Sequence, residues 1–340
     1  MKALRFENDI LYLLDQTRLP FKENWLEFTE YSSIVRALKA GVCSGTAAAL
    51  AGAYGYVLAS SACSALPPEL FAASMIRAKK ELQASAPQLQ SLQYALEYME
   101  NCLIELKWRT TACEALKTAA LELHMRESDY CRRMSITGLG VVPRGACIMT
   151  MGSSGALSSG GRGTALGIIS AAHKAGKLKM AFVCEGRPDL DGSRLAALEL
   201  EREKIPVTVH TDSAAAVLMQ NSLVDLVILP VYTVCGNGDC MCAPGAYNLA
   251  CLARYHNIPF YISAGVNSID LSRRNSSMLR FDQLSADRLT DLGENTFYPR
   301  GVKLFNPSGD IIPSNMITGI ILDKAVAFPP FGDNIISAML

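Results

Sequence analysis

Histidine is scarce in this 340-residue chain, neither charge is in surplus and no basic stripe appears. Each shortage narrows the function. The four histidines, His124, His173, His210 and His256, share no motif spacing, and only His210 draws notice, at a strand end beside Asp212. Lys plus Arg matches Asp plus Glu at 32 each with the signs scattered, so nucleic acid is not an expected partner. The opening MKALRFENDILYLL lacks an apolar core followed by a small-residue cleavage site, so no secretion signal is read. Uncharged Thr46–Pro68 approaches the roughly 20 apolar residues that span a bilayer. It is built of Ala, Gly and Ser without Ile or Phe and closes on Pro67-Pro68, which predicts a buried helix and no membrane partner. The expected location is cytoplasmic.

What is present points to a compact α/β protein. Half of the chain is hydrophobic and 19% is charged, and its length exceeds one ordinary core. Eleven cysteines are many, but the number is odd and no export signal accompanies them, which argues against a disulfide framework. From about Glu27 to Leu123 the pattern is helical. Leu89, Leu92, Leu96, Met99, Leu103 and Leu106 recur at steps of three and four and mark one apolar helix face. Between Glu127 and Arg144 the composition shifts through charges to a Gly-Leu-Gly and Pro143, giving a mainly helical domain over 1–135 and a second domain over 136–340. In the second, strands are predicted at Ala146–Met151, Lys179–Cys184, Val207–His210, Val224–Leu229 and Pro259–Ser263. Helices are predicted at Gly163–Ala175, Ser193–Lys204, Ser213–Gln220 and Gly245–His256. This alternation predicts a Rossmann-like, doubly wound parallel sheet with its ligand crevice beyond the carboxyl ends of the strands.

The segments after those strand ends hold the candidate chemistry. Met151–Gly163 (MGSSGALSSGGRG) enters a helix and offers backbone N–H groups to an anion, or simply allows tight packing. It matches neither the P-loop lysine pattern nor the spaced glycines of a dinucleotide fold. Glu185–Arg194 (EGRPDLDGSR) sets Arg187 and Arg194 among three carboxylates; Asp191 or Ser193 either caps the next helix or meets a ligand. Asp212 has the same two readings, cap or sugar-hydroxyl partner. Cys235, Cys240 and Cys242 sit in one loop, VCGNGDCMC. Thiolates bind zinc or iron, but C-x4-C-x-C is no standard zinc pair and no His lies inside the loop. Metal binding, reactive thiols and small buried hydrophobes stay open there.

Motifs along nearly the whole chain resemble the methylthioribose-1-phosphate isomerase family. They include Leu13–Pro20 (LLDQTRLP), Gly52–Gly55 (GAYG), Gly155–Leu157, Gly163–Gly167 (GTALG), Glu185 with Arg187-Pro188, and Ile205–Thr208. They continue through Thr211–Ser213 (TDS), Asn237–Asp239 (NGD), Tyr255–Phe260 and Asn306-Pro307. More distant similarity extends to ribose-1,5-bisphosphate isomerases and to the alpha, beta and delta subunits of the translation-initiation exchange factor. The resemblance implies a helical N-terminal domain, a Rossmann-like second domain, a homodimer, and metal-free proton transfer between C1 and C2 of an opened sugar phosphate by a cysteine and an aspartate.

At the matching positions the side chains differ. The family cysteine falls on Gly152, followed by Ser153 and Ser154, and the family aspartate falls on Tyr232. The substrate-contacting Asn-Lys pair falls on Cys242 and Ala243, a glutamine on Asp191, and the arginine of Arg-Gly-Ala-Pro on Ala40 with Cys43 at the proline. Arg109 keeps its phosphate-binding identity. Loss of two cations weakens a phosphate site. A phenol with a reference pKa of about 10 is a poor base. The expectation is therefore a divergent small-molecule enzyme acting on a ribose-derived or related polar ligand with altered chemistry. Tyr232, Asp239, Ser153 and Cys242 are its catalytic candidates. Arg109, Gly152, Ser154, Glu185, Arg187, Asp191, Asp212 and Cys43 are its substrate-binding candidates. No cofactor is expected, with zinc or an iron–sulfur cluster on Cys235, Cys240 and Cys242 as the alternative. The same residues also suit a non-catalytic ligand-binding or regulatory homologue, a genuine aldose–ketose isomerase, or a thiol-dependent enzyme.

Overall fold

A computed structural model describes residues 1–280, 282–285, 287–292, 295–296, 298–299 and 301–340. The chain divides into two compact units, Met1–Arg133 with Ser154–Gly167, and Met134–Ser153 with Ile168–Leu340. The loop from Ser154 to Gly167 thus counts with the first unit, although it lies past residue 135.

The first unit opens with an antiparallel sheet that the helical expectation did not include: β1 (Leu4–Glu7), β2 (Ile10–Leu14) and β3 (Trp25–Phe28). Strand β2 puts Leu11 and Leu13 on one face, and both are fully buried, as the period of two requires. Helices α1 (Tyr31–Lys39), α2 (Gly45–Cys63), α3 (Pro68–Gln83), α4 (Gln90–Glu105) and α5 (Cys113–Leu139) follow, the last running on past Arg133 into the second unit. Helix α2 is buried on every side from Ala47 to Ser60, the environment that an all-round apolar helix needs. A side chain at Gly52 would come within 2.4 Å of Leu92 Cδ1, so glycine sets the approach of α4. The apolar stripe of α4 is core, with Leu92, Leu96, Met99 and Leu103 at 0% exposure. Among the described residues no helix is long and apolar enough to cross a membrane.

The second unit is built on a seven-stranded sheet. In chain order its elements are β4 (Ala146–Met151), α6 (Ala165–Lys174, which begins in the first unit), β5 (Leu178–Cys184), a π-helical turn (Gly192–Ala196) leading to α7 (Ala197–Arg202), β6 (Val207–His210), α8 (Ala215–Gln220) and β7 (Leu226–Pro230). Then come β8 (Thr233–Cys235), β9 (Cys240–Cys242), α9 (Ala246–Tyr255), β10 (Phe260–Ser263), β11 (Ile269–Asp270), α10 (Asp287–Thr290), β12 (Asp291–Leu292) and β13 (Asn295–Thr296). The chain finishes with β14 (Asp310–Ile312), β15 (Gly319–Ile321), β16 (Val326–Ala327) and α11 (Phe331–Met339).

The main sheet runs β16-β15-β10-β7-β4-β5-β6, parallel throughout except for β16 at one edge. This is the Rossmann-like arrangement. Strands β5 and β6 extend the sheet on one side of β4, while β7, β10 and β15 extend it on the other. The order therefore reverses between β4 and β7, and in open α/β sheets that reversal opens a crevice at the carboxyl ends. A second sheet, β11-β8-β9-β14, forms beside it from the cysteine loop and later segments.

Candidate active site at the strand carboxyl ends

Gly152 follows β4 and Tyr232 follows β7, so the two replaced positions flank the switch point. Parallel pairing of Ile148 with Leu226 and Met149 with Val227 brings Met151 and Gly152 level with the end of β7. Gly152 has φ +76°, and a Cβ there would meet nothing within 4 Å. Next to it the Ser153 hydroxyl is buried and has no hydrogen-bond partner. The Ser154 hydroxyl is likewise unpartnered, but Ser154 belongs to the first unit, where its carbonyl accepts from Thr164 N at 2.8 Å.

One strand further along, the turn after β5 is fixed by long-range bonds. Asp212 accepts from the backbone N–H of Gly186 and of Arg187, both at 2.9 Å. It therefore does not cap the helix after it, and each of its oxygens already accepts one backbone bond. The Glu185 carbonyl accepts from Gly192 N at 3.1 Å. A side chain at Gly192 would lie 1.8 Å from Cys184 O, so glycine is required to start the π-helical turn. Asp191 makes no cap bond either. Its carboxylate pairs with Arg194 at 3.5 Å, and Ser193 Oγ donates to Leu190 O at 3.1 Å.

Asp191, Tyr232 and Cys242 are brought together electrostatically. About 30% of the Asp191 side chain is open to solvent, yet surrounding protein pushes its carboxyl up to about 6. Burial is the main cause and Asp189 adds to it, while Arg194 and Arg288 oppose it. Burial also raises the Tyr232 phenol, helped by Asp191, Asp189 and Cys242 and partly offset by Arg288. Arg288, on α10, pairs with Asp189 at 3.3 Å. Arg187 reaches the same helix, donating to Leu289 O at 2.8 Å. The sequence shows Asp189 as one of three carboxylates in its turn but gives no sign of Arg288, because a pair 99 positions apart leaves no local signal.

Asp239 serves another purpose. Its Oδ1 accepts from Ser314 N at 2.8 Å and its Oδ2 from Ser276 N at 3.0 Å. Burial pushes this carboxyl up, but hydrogen bonds from Asn237, Ser276 and Ser314 outweigh it and hold it below the usual range. It braces three segments.

The three cysteines of this hairpin are buried and divided between two apolar clusters. Cys240 and Cys242 share one face of β9 and enter the core with Met151, Leu229 and Ala246. Cys235 packs on another cluster with Met241, Leu279 and Tyr232. The strand period of two separates Cys240 and Cys242 from Met241 between them. Burial raises all three thiols, that of Cys235 to about 11. Among the described residues no group of three or more His, Cys, Asp or Glu is set to hold a metal ion. The zinc or iron–sulfur alternative thus has no described ligand set behind it.

Arg109 and Cys43 lie in the first unit. Arg109 is exposed, just after Lys107 and Trp108, which both adopt φ +53°. Cys43 is 4% exposed, and burial pushes its thiol up to about 12.

A doubly wound α/β unit with a candidate site at its switch point, joined to a largely helical unit, defines the class of this protein. Residues 42–329 match the Initiation factor 2 subunit family, and the chain belongs to that family. It is 37% identical over 339 residues to a methylthioribose-1-phosphate isomerase of Pelotomaculum thermopropionicum, covering 98% of this chain and 93% of that protein. It is 35% identical over 334 residues to the protein of the same name in Heliobacterium modesticaldum, covering 97% of each. The crystal structure of 5-methylthioribose 1-phosphate isomerase from Pyrococcus horikoshii superimposes with a TM-score of 0.88 at 28% identity, covering 99% of this chain and 95% of that one. Translation initiation factor eIF-2B, subunit delta, from A. fulgidus gives 0.83 at 27% identity, covering 100% and 99%.

Proposed function

We propose that this chain is a small-molecule enzyme of the isomerase branch in which Asp191 and Tyr232 take over proton transfer on a ribose-derived or similar polar substrate. One observation carries the reading. The positions flanking the switch point hold Gly152 and Tyr232, while in the turn after β5 Asp191 is held at about 6 and its charge acts on that phenol. A carboxyl near neutral pH accepts and returns a proton efficiently, which one at its ordinary value does not. Tyr232, raised by burial, stays protonated and serves as donor. Ser153 and Gly152 supply a hydroxyl and open space beside them. By the resemblance to the isomerase family the working form is a homodimer.

The test is turnover of methylthioribose 1-phosphate, ribose 1-phosphate and their unphosphorylated sugars, followed by carbonyl migration. Asp191→Asn and Tyr232→Phe should each lower kcat by about 10²-fold or more. Variants that turn over at the wild-type rate overturn the assignment. A second reading, ligand binding without catalysis, is favoured by Asp212 and Asp239. These two retained carboxylates are spent on backbone N–H groups, so their presence marks the scaffold. Saturable sugar binding without turnover in the wild type would establish it.

A further inference from the structure

The cradles that would ordinarily receive an anion at this sheet edge are already filled from within the chain. Backbone N–H groups at strand-to-helix turns and helix N-termini are ready-made phosphate sites. Here Asp212 occupies Gly186 N and Arg187 N, and Asp310 Oδ2 occupies Gly245 N and Tyr247 N at 2.9 and 3.0 Å. The side-chain cations are committed in the same way. Arg187 donates to Pro188 O at 3.0 Å and Leu289 O at 2.8 Å. Arg194 donates to Asp189 O at 3.1 Å and pairs with Asp191, and Arg288 pairs with Asp189. The stretch Pro230–Tyr247 contains no Lys or Arg, and the loop Met151–Gly163 carries one cation, the exposed Arg162 of the first unit. A phosphate dianion entering here has to displace the chain's own carboxylates and approach Glu185, Asp189 and Asp191.

The groups still able to bond are of another kind. They are the unpartnered Ser153 hydroxyl, the Tyr232 phenol and the acceptor positions of Asp191 that its pair with Arg194 leaves open, with open space at Gly152. Hydroxyls both donate and accept, so a carboxylate as acceptor and a phenol as donor suit them, while the negative charge of Asp191 opposes a phosphate. A site built this way rejects a ligand that leaves its polar groups unpaired.

We propose that this crevice selects an uncharged polyhydroxylated ligand, an unphosphorylated sugar or polyol, over its phosphate ester. The inference rests on the proton-transfer reading of the same residues and deepens it to a substrate class. Asp189 acts as the specificity residue, because it holds Arg288 in an internal pair.

Calorimetric titration of the full chain with methylthioribose and methylthioribose 1-phosphate, and with ribose and ribose 1-phosphate, tests it. The uncharged member of each pair should bind at least roughly tenfold more tightly, and excess orthophosphate should not displace it. Asp189→Asn frees Arg288 and should improve affinity for the esters by about tenfold while leaving the uncharged sugars unchanged. Tighter binding of the esters, displacement by orthophosphate, or failure of both members to bind overturns the proposal. Unaltered turnover in Asp191→Asn with the preference intact removes the proton-transfer reading and leaves this one standing.

Discussion

Asp191 and Asp239 use the same functional group in opposite ways, and their variants should separate accordingly. The folded value of Asp191, about 6, lies above its ordinary 3.8, so between these values the folded chain holds a proton that the unfolded chain has lost. Its contribution to stability is therefore present at low pH and fades as pH rises through about 6. Asp191→Asn should raise the melting temperature at pH ~8 and leave it nearly unchanged at pH ~4, by differential scanning fluorimetry. As the proposed base, Asp191 must be ionised, so wild-type kcat/KM should fall about tenfold per pH unit below that value. Asp239 is held below its ordinary range by bonds that exist only in the folded chain, so it stabilises at neutral pH and the benefit is lost in acid. Removing its carboxylate in Asp239→Ala strands two backbone donors. The expected cost is about 3 kcal/mol in urea unfolding, with kcat of the folded fraction retained.

The hairpin of β8 and β9 is where one element changed the meaning of its residues. Three cysteines in one short loop invite a metal or a reactive thiol, but strand geometry sends two into one cluster and one into another. At about pH 7.5 Cys235, Cys240 and Cys242 should resist iodoacetamide in the native protein and react in denaturant. Mass spectrometry of the labelled peptides reads this directly, and fast native labelling would contradict their burial. Among the helices, His124 of α5 is half-buried beside the Tyr54 hydroxyl at 3.0 Å, and its partial burial lowers its pKa. Below about pH 6.5 the unfolded chain takes up a proton that the folded one refuses, so stability should drop with acid there. His124→Gln should flatten that slope.

Elements with strong periodicity were legible in advance. Strands β4 and β6 have their predicted bounds, α9 lies within one residue of its own, and α4 carries the predicted apolar face. Short strands were not: β1 to β3 offer only two or three alternations each, too few to outweigh the helical text after them. At the site, the strand-end loops could be named from the sequence but their bonding could not. Asp212 and Asp191 look like helix caps locally; the partners that redirect Asp212 lie 25 and 26 positions away. The Asp189–Arg288 pair was invisible for the same reason.

At the scale of the whole chain, the segment from Ser154 to Gly167 matters most. Leu157 is fully buried in the first unit, its carbonyl accepts from Gln16 Nε2 at 2.6 Å, and Thr46 Oγ1 donates to Ser158 O at 3.3 Å. A Cβ at Gly163, where φ is +88°, would sit 2.2 Å from Ser154 O. Gly163→Ala should therefore destabilise by about 1–3 kcal/mol in urea unfolding. A fragment ending at residue 135 lacks this insert and leaves the amide of Gln16, which is 2% exposed in the intact chain, without its carbonyl. Such a fragment should unfold without a cooperative transition by circular dichroism, whereas the intact chain should show one. A cassette exchange that swaps the front half of the gene with that of a relative would therefore carry off a socket and leave its plug behind, so functional chimeras need two coordinated crossovers flanking that insert in addition to the obvious one.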